Sequence, residues 1–218
     1  MTHEESPAGF DPYRPLSQNL NFGDRLNRWI LRRPRQRIVQ LLKGQRVLDV
    51  CCGTGNLTAM LVAAGCQVTG VDSSPTMLSH ARQKHIPAEF EQMDATQLPF
   101  QSEFEAAVIS LALHEMSPPV RAQVWEAMRR AVQTRGRLIA LDFAIPLRNN
   151  LMARIASRFT ERDERAFLSI YPAHYENYRG FMQAGGLLSW IQKRNQWLEA
   201  EYRFWGGTLA VVVVRESM

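Results

Sequence analysis

Strand-like and helix-like segments alternate through the middle of the chain, and this order constrains the fold more than any other feature of the sequence. Five apolar strands are expected at 47–50, 66–72, 88–94, 105–113 and 136–143. Between the strands, the stretches 56–65, 73–85 and 118–132 have the residue spacing of helices. Such alternation is typical of a parallel sheet with helices on both faces. The expected fold class is therefore α/β, a doubly wound, Rossmann-like sheet, whose ligands bind outside the carboxyl ends of the strands.

The two ends of the chain follow a different pattern. Before residue 45 the sequence predicts two helices, the second at 34–42. After Phe143 a mixed basic and aromatic stretch leads into a helix expected at 175–185. The last two strands are predicted at 187–195 and 208–215.

Length and composition place the chain among globular proteins. Its 218 residues, 45% of them hydrophobic, suit one α/β domain with an ample core. No apolar run is long enough for a membrane-spanning helix. The N-terminus lacks the basic start and apolar stretch of a signal peptide. We therefore expect a cytoplasmic protein without a membrane span.

The net charge of +5 arises mainly near the N-terminus, where residues 1–45 hold eight Lys or Arg against four Asp or Glu. Part of this excess is the run RRPRQR from Arg32 to Arg37. Such a run is typical of a solvated helix end, and it also suits contact with RNA, anionic lipid or an acidic substrate.

Cysteine usage argues against a disulfide framework or a metal centre. Of the three cysteines, Cys51 and Cys52 are adjacent, and adjacent cysteines bridge each other only with strain. Metal sites usually use a CxxC spacing, and no second cysteine pair or histidine cluster in the sequence completes one. We expect buried, inert thiols and no metal.

A glycine-bearing turn follows the first strand, in the stretch VLDVCCGTG at 47–55. A strand, a glycine turn and a helix in succession aim backbone amides and a positive helix end at a ligand. Gly53 and Gly55 fit a dinucleotide fingerprint, but its third glycine position holds Thr58. A nicotinamide-dependent oxidoreductase is therefore disfavoured.

Asp49 lies in the strand just before this turn, where a dinucleotide site needs no acid. A carboxylate there suits a ligand that carries positive charge and no phosphate. S-adenosylmethionine is such a ligand, because it has an α-amino group and a sulfonium.

Four motifs then occur in order: VLDVCCGTG, VTGVDSSPTML, FEQMDATQLPF and AAVISLALHEM. Together they resemble the successive motifs of the class I S-adenosylmethionine-dependent methyltransferases, and are most similar to the ubiquinone/menaquinone biosynthesis branch (methyltransferase type 11). The resemblance implies seven strands, mostly parallel with one antiparallel strand near the C-terminus. It also implies S-adenosylmethionine as cofactor and S-adenosylhomocysteine as product.

The same resemblance divides the single domain into four parts. An N-terminal helical cap covers 1–44, and the cofactor-binding core covers 45–143. A variable acceptor lid follows at 144–173, and a closing helix with the last two strands completes 174–218.

The resemblance also assigns cofactor-binding residues by position. They are Asp49, Cys51, Gly53, Gly55, Asp72, Ser73, Met77, Asp94, Ala95 and Leu111. Asp49 would orient the turn and contact the methionine amino end, and Asp72 would accept both ribose hydroxyls. Cys51 stands where the family has its first glycine, so we expect a conformation there that a side chain tolerates.

On the acceptor side, His114 follows the fourth strand and is the candidate base or acceptor-orienting group. The lid at 144–173 carries apolar residues such as Leu151, Ile155 and Phe167, which suggest a small hydrophobic or aromatic acceptor. Two alternatives stay open. The basic N-terminal region favours an RNA or protein methyltransferase, although no NPPY-type tetrapeptide follows the fourth strand. The other is an accessory protein that binds the cofactor without turnover.

Overall fold

The computed structural model describes residues 11, 13–16, 20–146, 151–166, 171–194 and 197–215. In these residues the strands are β1 Arg46–Val50, β2 Gln67–Asp72, β3 Glu89–Gln92, β4 Phe104–Ser110, β5 Val132–Phe143, β6 Trp197–Phe204 and β7 Leu209–Arg215. The α-helices are α1 Leu20–Leu42, α2 Asn56–Ala63, α3 Pro75–Gln83, α4 Pro118–Ala131, α5 Leu151–Ala166, α6 Pro172–Gln183 and α7 Gly186–Gln192.

The seven described strands form one sheet in the order β3-β2-β1-β4-β5-β7-β6. The pairs among β1 to β5 are parallel, whereas β7 is antiparallel to both β5 and β6. The predicted fold class is therefore confirmed, including the antiparallel strand near the C-terminus.

Successive side chains of each buried strand point to opposite faces of the sheet, and different helices cover the two faces. Val47 packs with Ile38 of α1 and Leu61 of α2 in one core. Leu48, the next residue, belongs to the other core, with Trp125 of α4 and with α7. Burial on both faces explains why the sequence of β1 is an almost continuous apolar run.

The sheet order creates a crevice between β1 and β4. The chain leaves β1 toward β2 on one side, and β4 lies on the other, which makes this the topological switch point of the sheet. Val50 pairs with Val71 of β2 and with Ile109 of β4. The residues that follow these three strands therefore meet at one edge.

The prediction of two N-terminal helices is wrong, because α1 continues through Pro34 as one helix. Proline has no N–H, so the carbonyl of Ile30 loses its donor within the helix. The indole Nε1–H of Trp205 donates to that carbonyl at 2.9 Å. The unpaired Ile30 carbonyl was the reason to expect a helix break at Pro34. The hydrogen bond from Trp205, near the C-terminus, satisfies that carbonyl.

The strand predicted at 187–195 is also wrong. Gly186–Gln192 is a helix, in which Leu187 and Ile191, one turn apart, are both buried. The sixth strand begins later and runs over Trp197–Phe204. Its apolar residues alternate with charged ones, which is the pattern of a strand with one buried face.

The basic run lies on α1, and three of its four arginines are exposed, namely Arg32, Arg33 and Arg37. The Arg37 guanidinium lies 4.6 Å from the centre of the Tyr202 ring. The fourth, Arg35, is half-buried. Among the helices that the structure describes, none is both long and apolar enough to cross a membrane.

Helix α5 occupies most of the segment 144–173. It exposes Leu151 and Ile155 to solvent and buries Glu164. Phe167, one of the apolar residues expected in this segment, lies outside the described residues. Glu164, a carboxylate that the sequence analysis did not single out, is thus one α5 residue that faces the protein interior, and Ala153 is another.

Replacing Trp205 by Phe should destabilise the protein by about 1–2 kcal/mol, because it leaves the Ile30 carbonyl without its donor. Urea unfolding measures the loss. Trp29→Phe is the matched control, since Trp29 is 65% exposed and stacks on Trp205; its effect should stay within about 0.5 kcal/mol. Adding Pro34→Ala to Trp205→Phe returns an N–H to position 34 and should recover part of the loss. Equal effects of the two tryptophan variants would contradict the account.

Candidate active site

The turn after β1 has a left-handed backbone at three positions. Cys51 has a φ of +55°, Gly53 of +55° and Gly55 of +73°. A Cβ at Gly55 would also lie 3.1 Å from the Phe90 ring, so a side chain there needs its neighbours to shift, whereas a Cβ at Gly53 would meet nothing within 4 Å. The expectation of a side-chain-tolerant conformation at Cys51 is wrong, because a left-handed residue other than glycine costs about 1–2 kcal/mol.

Asp72, the last residue of β2, holds this turn from the side. Its carboxylate accepts the Gly53 N–H at 2.8 Å and the Ser74 N–H at 2.9 Å. Burial raises the pKa of this carboxyl despite both hydrogen bonds. Asp72 therefore lies beside the glycine turn, and its predicted contact with the ribose hydroxyls stays a prediction.

Asp49 is enclosed, with only 1% of its surface exposed. Its carboxylate accepts the Thr58 hydroxyl at 2.6 Å, so the residue at the third glycine position ties β1 to α2. Burial raises the pKa of Asp49 to about 6, although the Thr58 hydrogen bond and the charge of Arg35 both act to lower it. Asp49 thus joins the strand before the turn to the helix after it, and its roles in orienting the turn and contacting a ligand stay predictions.

The predicted residues on α3 and after β3 line the same edge. Ser73 is exposed, and Met77 is half-buried in the first turn of α3. Asp94 accepts the Thr96 N–H at 2.8 Å and so caps the short 3₁₀ turn that begins at Ala95. The Asp94 side chain has this local structural role, and its contact with adenine stays a prediction.

The end of β4 contributes two unusual features. Leu111 has a φ of +55°, which ends the strand three residues earlier than the sequence suggested. Just before it, the Ser110 hydroxyl is buried and has no hydrogen-bond partner among the described residues. Since buried polar groups are nearly always paired, a polar ligand is the expected partner. Sequence reasoning missed Ser110, although it is the one hydroxyl in the apolar run VISLAL.

His114 lies in a 3₁₀ turn beyond this strand end and is only 2% exposed. Its Nδ1 lies 2.7 Å from the carboxylate of Asp142, near the end of the neighbouring strand β5. Asp142 also accepts the backbone N–H groups of His114 and Phe143. Three donors therefore hold this buried carboxylate against the imidazole.

Two further carboxylates and a second histidine surround His114. One carboxylate oxygen of Glu164, on α5, is hydrogen-bonded to His174 Nε2 at 2.7 Å. Its other oxygen lies 3.5 Å from His114 Nε2. Glu115 lies 3.8 Å from His114 Nε2 and 3.8 Å from His174 Nδ1. The side chains of α5, α6 and the turn after β4 thus form one buried polar cluster.

The charges in this cluster shift its pKa values in opposite directions. Burial alone would lower the pKa of His114, but Asp142 and Glu164 hold it well above its ordinary value. Burial alone would raise the pKa of Glu164, but the two histidines lower it to about 2. In this conformation these shifts favour the protonated form of His114 and the ionised form of Glu164.

The N-terminal segment reaches the same region, which the sequence did not indicate. The Tyr13 hydroxyl donates to Glu115 at 2.7 Å. Asp11 accepts the Ser74 hydroxyl at 2.9 Å and the Thr76 N–H at 3.2 Å, at the start of α3. The segment before α1 thus bridges the predicted cofactor side and the His114 side.

The cysteines have no sign of thiol chemistry. Burial, and then nearby carboxylates, raise the pKa of the Cys51 thiol, and burial also raises that of Cys52. Cys66 is buried, and its thiol donates to the Leu42 carbonyl at 3.0 Å. A reactive thiolate needs a lowered pKa, so these side chains fit the predicted inert role.

Comparisons with known proteins agree with this architecture. A family model described as a methyltransferase domain matches residues 47–136. An uncharacterized methyltransferase of Synechocystis sp. is 36% identical over 104 residues, which is 47% of this chain and 49% of that protein. The demethylmenaquinone methyltransferase of Renibacterium salmoninarum is 30% identical over 223 residues, covering 96% of this chain and 90% of the relative.

A solved structure shows the same fold. Magnesium protoporphyrin IX methyltransferase from Synechocystis PCC 6803, with bound S-adenosylhomocysteine, has a TM-score of 0.57 at 17% identity. The match covers 85% of this chain and 83% of that one.

The sheet order, the glycine turn and these relatives define the class as that of S-adenosylmethionine-dependent methyltransferases. The chain belongs to the class I family of these enzymes, and S-adenosylmethionine is its methyl donor. The resemblance found in the sequence is therefore confirmed at the level of family, cofactor and enzyme class.

Asp49→Asn tests the burial of a carboxylate under the turn. With a pKa of about 6 in the folded protein against an ordinary 3.8, the folded state resists ionisation. The resulting penalty on stability grows as the pH rises from about 4, is complete above about pH 7, and reaches about 3 kcal/mol. Asparagine keeps an acceptor for Thr58 but never ionises.

We expect the stability of Asp49→Asn relative to wild type to improve by about 2 kcal/mol between pH 4.5 and pH 7.5, measured by urea unfolding without cofactor. The exposed carboxylate variant Glu103→Gln is the control and should change by less than about 0.5 kcal/mol. A stability difference for Asp49→Asn that is the same at both pH values would contradict the assignment.

Proposed function

We propose that this enzyme methylates a small hydrophobic or aromatic molecule, and that His114 meets the acceptor at its reacting end. The observation that carries the proposal is the buried His114–Asp142 pair, 2.7 Å apart, beyond the carboxyl end of β4. That strand borders the crevice which in this fold receives the ligand. The pair lies among aromatic side chains and further polar groups, and such a site can orient an acceptor with one reacting polar group.

The cofactor side of the crevice fits S-adenosylmethionine. A Cβ at Gly53 would meet nothing within 4 Å, so the space beside it is open. The buried Ser110 hydroxyl has no hydrogen-bond partner among the described residues, and the Asp72 carboxylate lies next to the turn. Bound S-adenosylmethionine supplies a methyl group on a positively charged sulfur. The residues proposed to hold it are those the sequence assigned: Asp49, Cys51, Gly53, Gly55, Asp72, Ser73, Met77, Asp94, Ala95 and Leu111.

The surroundings of His114 suit an aromatic acceptor. The imidazole lies 4.7 Å from the Phe143 ring and 6.0 Å from the Tyr178 ring, measured between centroids. Tyr175 stacks on Tyr178 at 6.2 Å. Aromatic walls beside polar groups bind a flat ring and fix its orientation.

The charge state of His114 favours the orienting role over the base role. A protonated imidazole cannot accept a proton, but its Nε2–H can donate to an acceptor oxygen. Asp142 fixes the ring through Nδ1, so the orientation of Nε2 is set before the acceptor arrives. Alignment of acceptor and methyl donor is a major source of rate for such a displacement.

Access to His114 requires α5 to move, because Glu164 of α5 covers Nε2 in this conformation. We therefore assign α5, within the predicted lid at 144–173, the role of a cover over the acceptor. Exposed Leu151 and Ile155 on the outer side of the same helix are not part of the acceptor contact.

The names of the relatives suggest which acceptor to test first. The Renibacterium salmoninarum relative is a demethylmenaquinone methyltransferase. Reduced demethylmenaquinone, a hydrophobic aromatic diol, is accordingly the first acceptor for an assay with S-adenosylmethionine labelled in its methyl group. Label transferred to RNA or protein, with none transferred to aromatic small molecules, would contradict the proposal.

Asp72→Ala should weaken cofactor binding, because a carboxylate that accepts hydroxyl groups is lost. Two such bonds are worth about 2–4 kcal/mol together, or roughly a 30- to 1000-fold rise in Kd for S-adenosylhomocysteine. Calorimetric titration measures the change. Glu103→Gln is the control, because Glu103 is exposed and lies just before the amino end of β4, away from the carboxyl ends of the strands. An unchanged affinity in a folded Asp72→Ala protein would remove Asp72 from the site.

His114→Ala should lower turnover about 100-fold or more while the affinity for S-adenosylhomocysteine stays the same. His114→Gln provides a second variant in case the smaller side chain destabilises the buried cluster. His85→Gln, at an exposed position, is the control for histidine loss. A stable and fully active His114→Ala protein would end the claim that this side chain meets the acceptor.

A further inference from the structure

His114, Glu164 and His174 come from three separate elements and converge in the interior. They lie in the turn after β4, in α5 and in α6, and all three are buried. One nitrogen or oxygen from each lies within 4.8 Å of the corresponding atoms of the other two. We propose that these three side chains bind one divalent transition-metal ion.

The spacing of the donor atoms suits a single ion. Glu164 presents its two oxygens to different histidines: Oε2 lies 2.7 Å from His174 Nε2, and Oε1 lies 3.5 Å from His114 Nε2. An ion with bonds of about 2.0–2.2 Å separates its own ligand atoms by roughly 3 Å. The three donor atoms lie within 4.8 Å of one another, so the side chains must draw closer to share one ion.

The partner of His114 prepares it as a ligand. Histidines that bind metals usually donate their other ring N–H to a carboxylate, which fixes the tautomer and the ring orientation. His114 Nδ1 lies 2.7 Å from Asp142. When Nδ1 donates to Asp142, Nε2 points its lone pair toward Glu164 and His174, and the ion takes the place of a proton there.

The charge of the cluster also favours a cation. Three carboxylates, those of Glu115, Asp142 and Glu164, surround two imidazoles in a buried site. Nearby Arg121 uses its N–H groups on the carbonyls of Leu113 and Met116. The charge of Arg121 acts on Asp142, so a divalent ion balances the charges of Glu115 and Glu164 without any protonated histidine.

The donor set indicates the kind of ion. Imidazole with carboxylate suits Zn²⁺, Fe²⁺, Co²⁺ or Mn²⁺, whereas Ca²⁺ and Mg²⁺ prefer oxygen ligands alone. Two histidines and one carboxylate leave coordination positions open for a further ligand. The sequence could not indicate this site, since sixty residues separate His114 from His174.

The role of the ion rests on the proposed function, although its binding does not. An oxygen of the acceptor would occupy an open position and be held by the ion beside His114. Coordination lowers the pKa of a bound hydroxyl, so that its proton leaves to solvent more readily. In this scheme His114 Nε2 binds the ion, and the ion takes over from the Nε2–H the contact that orients the acceptor oxygen.

The first test measures binding without acceptor or cofactor. Protein treated with a chelator and then desalted is titrated with Mn²⁺, an ion that thiols bind poorly, so that Cys51 and Cys52 do not interfere. We expect one ion per chain and, at 100 times Kd, a rise in Tm of about 5–10 °C. Electron spin echo spectra of the bound Mn²⁺ should show nitrogen couplings from two imidazoles. No binding, or an ion without imidazole nitrogens, would overturn the proposal.

The second test uses variants of the ligands. Glu164→Gln and His174→Gln should each weaken Mn²⁺ binding at least 10-fold, and the nitrogen couplings of His174→Gln should fall to one. His85→Gln is the matched control and should bind Mn²⁺ as the wild type does. A Tm rise with S-adenosylhomocysteine shows that each variant is folded, because that site is separate. Ligand variants that are folded and bind Mn²⁺ with unchanged affinity would overturn the proposal.

The third test separates the ion from the proposed function. Methyl transfer to reduced demethylmenaquinone is measured after chelation and again after Mn²⁺ or Zn²⁺ is returned. Loss of turnover with return on metal addition supports the role given to the ion. Full turnover in the chelated enzyme would overturn that role while leaving the methyl transfer itself established.

Discussion

The crevice between the carboxyl ends of β1 and β4 is the constraint on which the rest of the structure depends. A residue with a left-handed backbone directly follows each strand, Cys51 at φ +55° after β1 and Leu111 at φ +55° after β4. Each such residue costs about 1–2 kcal/mol, so the surrounding sheet must hold it in place. The parallel pairing of Val50 with Ile109 and the burial of both strands supply that restraint. The backbone then turns away on both sides and leaves a space that Asp72 and Ser110 border.

The buried polar cluster connects this crevice to the helices that cover it. Asp142 belongs to the sheet, His114 to the turn after β4, and Glu164 and His174 to α5 and α6. Removing one partner of a buried charged pair typically costs about 3–5 kcal/mol, because the other charge is left unpaired. The position of α5 is therefore coupled to whatever occupies the space beside His114, whether a proton, an ion or an acceptor. Because of this coupling, a change in what occupies the space beside His114 should change the position of α5.

Much of the fold was predictable, because the alternation of apolar strands and helices between residues 46 and 143 depends on local patterns. The failures occurred where a distant contact decides the local structure. Pro34 stays inside a helix because Trp205 satisfies the Ile30 carbonyl, and no local signal reports that bond. The cofactor edge was accessible through motifs that lie at strand ends. The cluster of His114, Glu164 and His174 was not, because it forms only when α5 and α6, far along the sequence, pack beside the turn after β4.

A crystal structure with S-adenosylhomocysteine tests the central claim most directly, since the claim is that one crevice serves both substrates. We expect the ligand between the turn at Cys51–Gly55 and the end of β4, hydrogen-bonded to Asp72 and Ser110. Its sulfur should face the His114 side. S-adenosylhomocysteine bound elsewhere, or with its sulfur turned away from His114, would contradict the account.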